Sequence, residues 1–254
     1  MRVTVLGCGT STGVPSIGCG CAVCTSSHPR NHRTRPSVVL EEEGRVLLVD
    51  TSPDFRLQAL RHGLRRVDAV LYTHFHADHT HGIDDLRIFN LHQRQPIPCH
   101  GTEETLEGIR QNFRYIFEAE GDYQGFQPQL TLHPLNGPTV VAGFPIVPLN
   151  LVHRTSRVLG IRVGGFAYLT DCNAIPEESM ERLGGLRHLI LDALRHRPHP
   201  AHMTVAEALE VVRRLKPAQT YLTHTNHELD YEETNRKLPP GVELAYDGLS
   251  FTCD

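Results

Sequence analysis

His74-x-His76-x-Asp78-His79 sets three imidazoles and a carboxylate within six positions, directly after the apolar run Ala69-Val-Leu-Tyr-Thr73. Imidazole suits zinc, iron or nickel, and a carboxylate widens the choice to manganese, so this density of donors points to metal chemistry. Alternate residues such as His74 and His76 can converge on one ion, while Asp78 and His79 are carried round toward a second. The chain holds 17 histidines in 254 residues, so some clustering arises by composition. The hexad alone does not exclude a solvated turn.

Echoes elsewhere weaken that bland alternative. Gln219-Thr-Tyr-Leu-Thr-His224 repeats the apolar, threonine and histidine pattern of Val70-Leu-Tyr-Thr-His74, and Val46-Leu-Leu-Val-Asp50 is echoed by Phe166-Ala-Tyr-Leu-Thr-Asp171. Short apolar runs of this kind read as strands buried on both faces, so each donor leaves a rigid strand end. Open sheets of α/β proteins place their sites at such ends. Asp50 also reads as a cap for a helix beginning near Pro53, and the two roles are compatible. Asp171 closes an apolar strand and needs a partner for its charge. His153 ends Pro148-Leu-Asn-Leu-Val-His153 and, taken by itself, is a surface histidine.

A second motif, Cys19-Gly-Cys21-Ala-Val-Cys24, sits on a glycine-rich loop. Three thiols at this spacing suit a metal better than packing, and thiolates favour zinc. A closed structural site needs a fourth ligand that the local sequence does not clearly supply, although His28 lies near enough to be considered. Cys8, Cys99, Cys172 and Cys253 show no paired spacing, which fits a reducing compartment.

The supporting elements follow from periodicity and punctuation. Helices are expected over 53–62, 84–91, 103–117, 176–183 and 204–215, the last opening with the capping-box signal Thr204-x-x-Glu207. Residues 120–128 read as a loop over a site edge, and specificity is expected from loops that include 87–100 and 118–129. No linker divides the chain, so 1–254 is expected to form one α/β domain with a zinc loop at 18–28. Met1-Arg-Val-Thr-Val-Leu-Gly reads as a first strand with no signal-peptide pattern, and no run approaches the ~20 apolar residues of a membrane span. A cytoplasmic protein without a membrane partner is expected. The net charge of −4 argues against a nucleic-acid partner held by broad electrostatics. Arg154 and Arg157, beside His153, are placed to meet a phosphate.

With these motifs in order along the chain, the sequence resembles the metallo-β-lactamase fold superfamily. Asp50, the His74 to His79 cluster, His153, Asp171 and His224 fall at its five successive signature positions. Within it, the chain is similar to the PhnP-like phosphodiesterases, through Gly7-Cys-Gly-Thr-Ser-Thr-Gly-Val-Pro15, the Gly18-Cys-x-Cys-x-x-Cys24 loop and Leu222-Thr-His224-Thr-Asn-His227. The resemblance implies a four-layer αββα sandwich of two mixed β-sheets flanked by helices. It implies one catalytic metal on His74, His76 and His153, another on Asp78, His79 and His224, and Asp171 bridging them, with zinc or manganese as the ions. Asp50 would orient a ligand histidine. His227 would complete a structural zinc site with Cys19, Cys21 and Cys24.

The implied activity is hydrolysis of a cyclic or small sugar or nucleotide phosphodiester by a hydroxide bridging two metals, with Asp78 in the catalytic centre. His202 aligns with a proposed general acid, with His199 as its competitor. A homodimer is compatible with this reading. The rivals are a tRNA 3′-processing endoribonuclease, which would carry a long Gly/Pro-rich arm, and a thioester hydrolase, which adds a C-terminal helical extension. A β-lactamase would carry an export signal. From another class, a non-catalytic zinc module built on the cysteine loop would bind about one ion where the enzyme binds about three.

Overall fold

Every side chain of Val46-Leu47-Leu48-Val49 is buried, yet successive residues enter different cores. Leu47 and Val49 join one apolar cluster, while Val46 and Leu48 join another. Side chains alternate across a strand, so a continuous apolar run means a sheet covered on both faces.

In the computed structural model, residues 1–117 and 126–253 are described. In chain order the elements are β1 (Arg2–Gly7), β2 (Ser37–Glu42), β3 (Arg45–Val49), α1 (Phe55–His62), β4 (Ala69–Leu71), α2 (Ala77–Thr80), α3 (Arg87–Gln93), β5 (Ile97–Gly101), α4 (Glu103–Asn112) and α5 (Arg114–Phe117). They continue with β6 (Leu130–Pro134), β7 (Thr139–Val141), β8 (Phe144–His153), β9 (Ser156–Val163), β10 (Phe166–Leu169), α6 (Glu177–Glu181), β11 (His188–Asp192), α7 (Val205–Leu215), β12 (Gln219–Thr223), α8 (Tyr231–Asn235), β13 (Val242–Leu244) and β14 (Ser250–Thr252).

Two seven-stranded sheets result, ordered β14-β1-β2-β3-β4-β5-β6 and β13-β12-β11-β10-β9-β8-β7. Both are mixed: β3 to β6 run parallel in one and β10 to β13 in the other, while the remaining neighbours are antiparallel. The inner faces meet through Val3, Leu40, Leu47 and Leu71 on one side and Phe144, Ile161, Phe166 and Ile190 on the other. Helices cover both outer faces. Phe55, Phe89 and Ile109 pack on Leu48, Val70 and Cys99, and Met180, Val205 and Tyr231 pack on Leu169, Leu191 and Leu222. Each buried side chain of this size contributes about 1.5–3 kcal/mol. The expected four-layer αββα sandwich is therefore the observed architecture.

The helices depart from expectation mainly at their ends. The 103–117 helix breaks at Phe113 into α4 and α5. The expected capping box of α7 is present, with Thr204 Oγ1 accepting from Glu207 N and Glu207 Oε2 accepting from Thr204 N. Residues 87–100, expected to contribute a specificity loop, instead form α3 and β5, because Phe89 and Ile97 are buried against the sheet. Of the loop expected over 118–129, residues 118–125 lie outside the described residues. Among the described residues, no helix is long and apolar enough to cross a membrane.

Candidate metal centre

The parallel strands end on polar residues. Asp50 follows β3, Asp171 lies just beyond β10, Asp192 is the last residue of β11, and His224 follows β12. Asp50, Asp171 and His224 have φ of 62°, 57° and 58°, a left-handed backbone that costs a non-glycine residue about 1–3 kcal/mol and persists where surrounding contacts over-determine it. His153 closes β8 at a two-residue turn into β9, paired with Ser156. The loop after β4 and the first turns of α2 supply His74, His76, Asp78 and His79.

These side chains converge. Donor atoms of His74, His76, His153 and Asp171 lie within 4.8 Å of one another, and so do those of Asp78, His79, Asp171 and His224. Asp171 belongs to both sets: its Oδ2 is 3.5 Å from His74 Nε2, 3.2 Å from His79 Nε2 and 3.3 Å from His224 Nε2. Asp78 Oδ2 lies 3.5 Å from His79 Nε2 and 3.4 Å from His224 Nε2.

Outer contacts fix which nitrogen faces inward. Asp50 Oδ1 accepts from Thr73 N (2.8 Å), and its Oδ2 accepts from Thr73 Oγ1 (2.8 Å) and from His79 Nδ1 (2.7 Å). Nδ1 of His153 donates to the Ala201 carbonyl at 3.0 Å. Nε2 of His79 is then turned toward Asp78 and Asp171, buried and without a hydrogen-bond partner. A buried lone pair without a partner, facing ionised carboxylates, suits a cation.

Charge follows the same plan. Burial opposes ionisation of Asp171 and Asp78, but His224 and His79 beside Asp171, and His79 and His224 beside Asp78, hold both carboxyls well below the usual carboxylate range. Burial also opposes a charge on His79 and His224, yet Asp171 and the neighbouring carboxylates push both pKa values up. Burial lowers the pKa of His74 and His153, leaving neutral imidazoles.

His202 lies on the rim. Its Nδ1 is 2.8 Å from Asp192 Oδ2, its ring stacks on His224 at 4.5 Å, and it meets His153 edge-on at 4.9 Å. His199 sits 5.1 Å from the His202 ring and accepts from Ala201 N. Asp192 was missed in the sequence, although His188-Leu-Ile-Leu-Asp192 carries the same apolar run stopping on aspartate as Val46-Leu-Leu-Val-Asp50. A small cleft above His74, His76 and His153 is lined by Phe75, Glu104, Thr105, Ser156 and Arg157. Among the described residues, larger clefts such as that between α1 and α3 bring no cluster of donors together.

At the far end of the molecule's first loop, the Sγ atoms of Cys19, Cys21 and Cys24 lie 3.2, 3.5 and 3.5 Å from His227 Nδ1. His28 is elsewhere, 3.2 Å from Glu232 and stacked on Tyr231. The backbone N–H of Cys24 lowers the Cys21 thiol to about 6, whereas burial pushes Cys24 up to about 11. Three thiols and an imidazole on one point form the donor set of a closed zinc site.

A family model described as a beta-lactamase superfamily domain matches residues 45–225, most of the span that carries these strand ends. The chain belongs to the metallo-β-lactamase superfamily. It is 38% identical over 259 residues to an octanoyltransferase of Porphyromonas gingivalis, covering 100% of this chain and 52% of the relative, so it spans about half of that protein. It is 31% identical over 222 residues to the coenzyme PQQ synthesis protein B of Methylobacterium radiotolerans, covering 76% of this chain and 72% of the relative. The crystal structure of a diphosphatase of the PhnP family superposes with a TM-score of 0.93 at 43% identity, over 100% of this chain and 98% of that one. The chain is thus PhnP-like in sequence and fold.

Proposed function

We propose that this metallo-β-lactamase-fold hydrolase is a phosphoric diester hydrolase with a two-metal centre, acting on cyclic or small phosphodiesters of sugars or nucleotides. The observation that carries the reading is the convergence of six side chains on Asp171, with His79 Nε2 buried and without a hydrogen-bond partner among them. His74, His76 and His153 would hold one ion and Asp78, His79 and His224 the other, with Asp171 between them. Mixed imidazole and carboxylate donors suit zinc or manganese, and Cys19, Cys21, Cys24 and His227 suit a structural zinc. Bound there, divalent ions supply Lewis acidity toward a phosphoryl oxygen and lower the pKa of water toward neutrality.

The chain's own groups handle the remaining tasks. Asp192 accepts from His202 Nδ1 and so fixes the imidazole, leaving Nε2 to give a proton to the departing alkoxide. Asp192 Oδ2 is itself held by the Cys172 backbone N–H at 3.1 Å. Arg157 lines the cleft, and neither it nor Arg154 is engaged by a carboxylate among the described residues, so both guanidinium groups are free for a phosphate anion.

A second reading, hydrolysis of a diphosphate linkage, is favoured by the description of the 43%-identical relative as a diphosphatase. Both substrates present a phosphoryl centre between two bridging oxygens. The test is to reconstitute stripped protein with manganese, zinc, nickel or iron and assay cyclic and linear phosphodiesters, a nucleoside diphosphate linkage, a thioester and a β-lactam. Turnover confined to the phosphorus compounds supports the proposal. Preference for the thioester would transfer support to acyl chemistry, the kind named for the octanoyltransferase relative.

A further inference from the structure

Among the described residues, Arg33 is the largest fully buried side chain, with 1% of its surface exposed. A guanidinium has five N–H donors in a rigid fork, and here each meets an oxygen. Nε donates to Arg30 O (3.2 Å), Nη1 to Thr225 Oγ1 (3.1 Å) and Asn226 O (3.0 Å), and Nη2 to Asn31 Oδ1 (3.2 Å) and Leu229 O (2.5 Å). Three of these acceptors belong to Thr225, Asn226 and Leu229, the turn that begins beside His224 and contains His227. The same turn is tied to the first strand's end, where Thr225 N donates to Cys8 O and Thr10 N to Thr225 O, both at 3.1 Å. A Cβ at Gly9 would lie 2.6 Å from Arg33 O, so the glycine lets that segment rest directly on the arginine backbone.

A buried cation needs opposite charge near it. No carboxylate hydrogen-bonds to Arg33 among the described residues; Asp247 and Asp230 act on its charge without bonding to it, as does Cys24 of the cysteine loop, where three thiolates and a neutral imidazole around a divalent ion would add one net negative charge. We propose that Arg33 is a positioning residue that locks the 225–229 turn, and thereby couples an ion in the cysteine loop to the retention of metal by His224. This rests on the reading of both clusters as metal sites. Lysine could keep the charge but not the five-fold fork.

The test uses full-length protein loaded with cobalt(II). The thiolate-to-cobalt absorption reports the cysteine loop, and the visible bands of nitrogen- and oxygen-bound cobalt report the strand-end centre. Wild-type protein lacking either signal would overturn the metal reading itself, separately from the role of Arg33. Given both signals, Arg33→Lys and Cys21→Ser should each speed chelator-driven loss of cobalt from the strand-end centre by about tenfold or more. Cys21→Ser should add nothing further in the Arg33→Lys background. Wild-type loss rates in Arg33→Lys, or effects of the two substitutions that multiply independently, would overturn the coupling. If Arg33→Lys fails to fold, Asn31→Ala removes one acceptor of the fork instead. Faster loss from the strand-end centre then supports the clamp, and an unchanged rate overturns it.

Discussion

Replacing Asp50 by asparagine isolates the part played by a residue that faces away from the proposed ions. Asp50 is fully buried, and its two oxygens take three hydrogen bonds, from Thr73 N, Thr73 Oγ1 and His79 Nδ1. An asparagine keeps the acceptor for Thr73 N but turns an NH2 group toward Thr73 Oγ1 and His79 Nδ1. The threonine hydroxyl can rotate to accept. His79 cannot adapt so freely: to accept at Nδ1 it must move its proton to Nε2, the atom that faces Asp78 and Asp171. The lone pair offered to a metal is then lost. Removing a partner of this kind costs about 10- to 100-fold in metal affinity, or about 1.4–2.7 kcal/mol. The assay is competition with a chromogenic chelator at fixed pH, with circular dichroism to verify folding. Asparagine is preferred to alanine, which would leave buried donors unpaired and lower stability as well. A folded Asp50→Asn protein that holds strand-end metal as tightly as wild type would show that His79 does not depend on Asp50 to present Nε2.

Further outcomes follow from other parts of the molecule. His202→Ala should retain metal but lower turnover, with the smallest loss on substrates whose leaving group is as good as nitrophenol, and Asp192→Asn should act in the same direction. An equal loss across leaving groups would remove the proton-donor role. In metal-stripped protein, His79 and His224 have pKa values raised above the ordinary ~6.5 by nearby carboxylates. A raised histidine stabilises fully below its unfolded pKa and loses that contribution as pH rises through the folded one, so the stripped protein should melt lower from pH ~6.5 upward. Metal-loaded protein, whose ligands are already deprotonated, should not follow that fall, and a stripped protein that gains stability over the same range would contradict the sign. At Gly82, a Cβ would lie 2.1 Å from Ser52 O, so Gly82→Ala should destabilise by about 1–3 kcal/mol in denaturant titration. An unchanged midpoint would show that this contact yields.

Much of the molecule could be read from the chain because local pattern and tertiary role coincide. Apolar runs such as Val46 to Val49 are strands covered on both faces, and their polar last residues become the site. The two short helices α2 and α8 were not expected, since four and five residues carry too little periodicity to register. The echo of Val70 to His74 in Gln219 to His224 marks two strand ends, but it does not extend to strand order: β4 neighbours β3, whereas β12 is separated from β10 by β11. That mismatch hid Asp192 on the intervening strand. Arg33 is not legible as a buried group either, because Arg30, Arg33 and Arg35 form a basic run of the kind that usually lies in solvent. Its burial depends on the 225–229 turn folding over it from nearly two hundred residues away, which no local pattern encodes.

The most direct measurement is anomalous X-ray scattering at the metal edge from crystals of protein reconstituted with zinc or manganese. A two-metal centre predicts two neighbouring peaks on either side of Asp171, one bounded by His74, His76 and His153 and the other by Asp78, His79 and His224. Density without an anomalous peak at these strand ends, in protein that hydrolyses a phosphodiester, would contradict it.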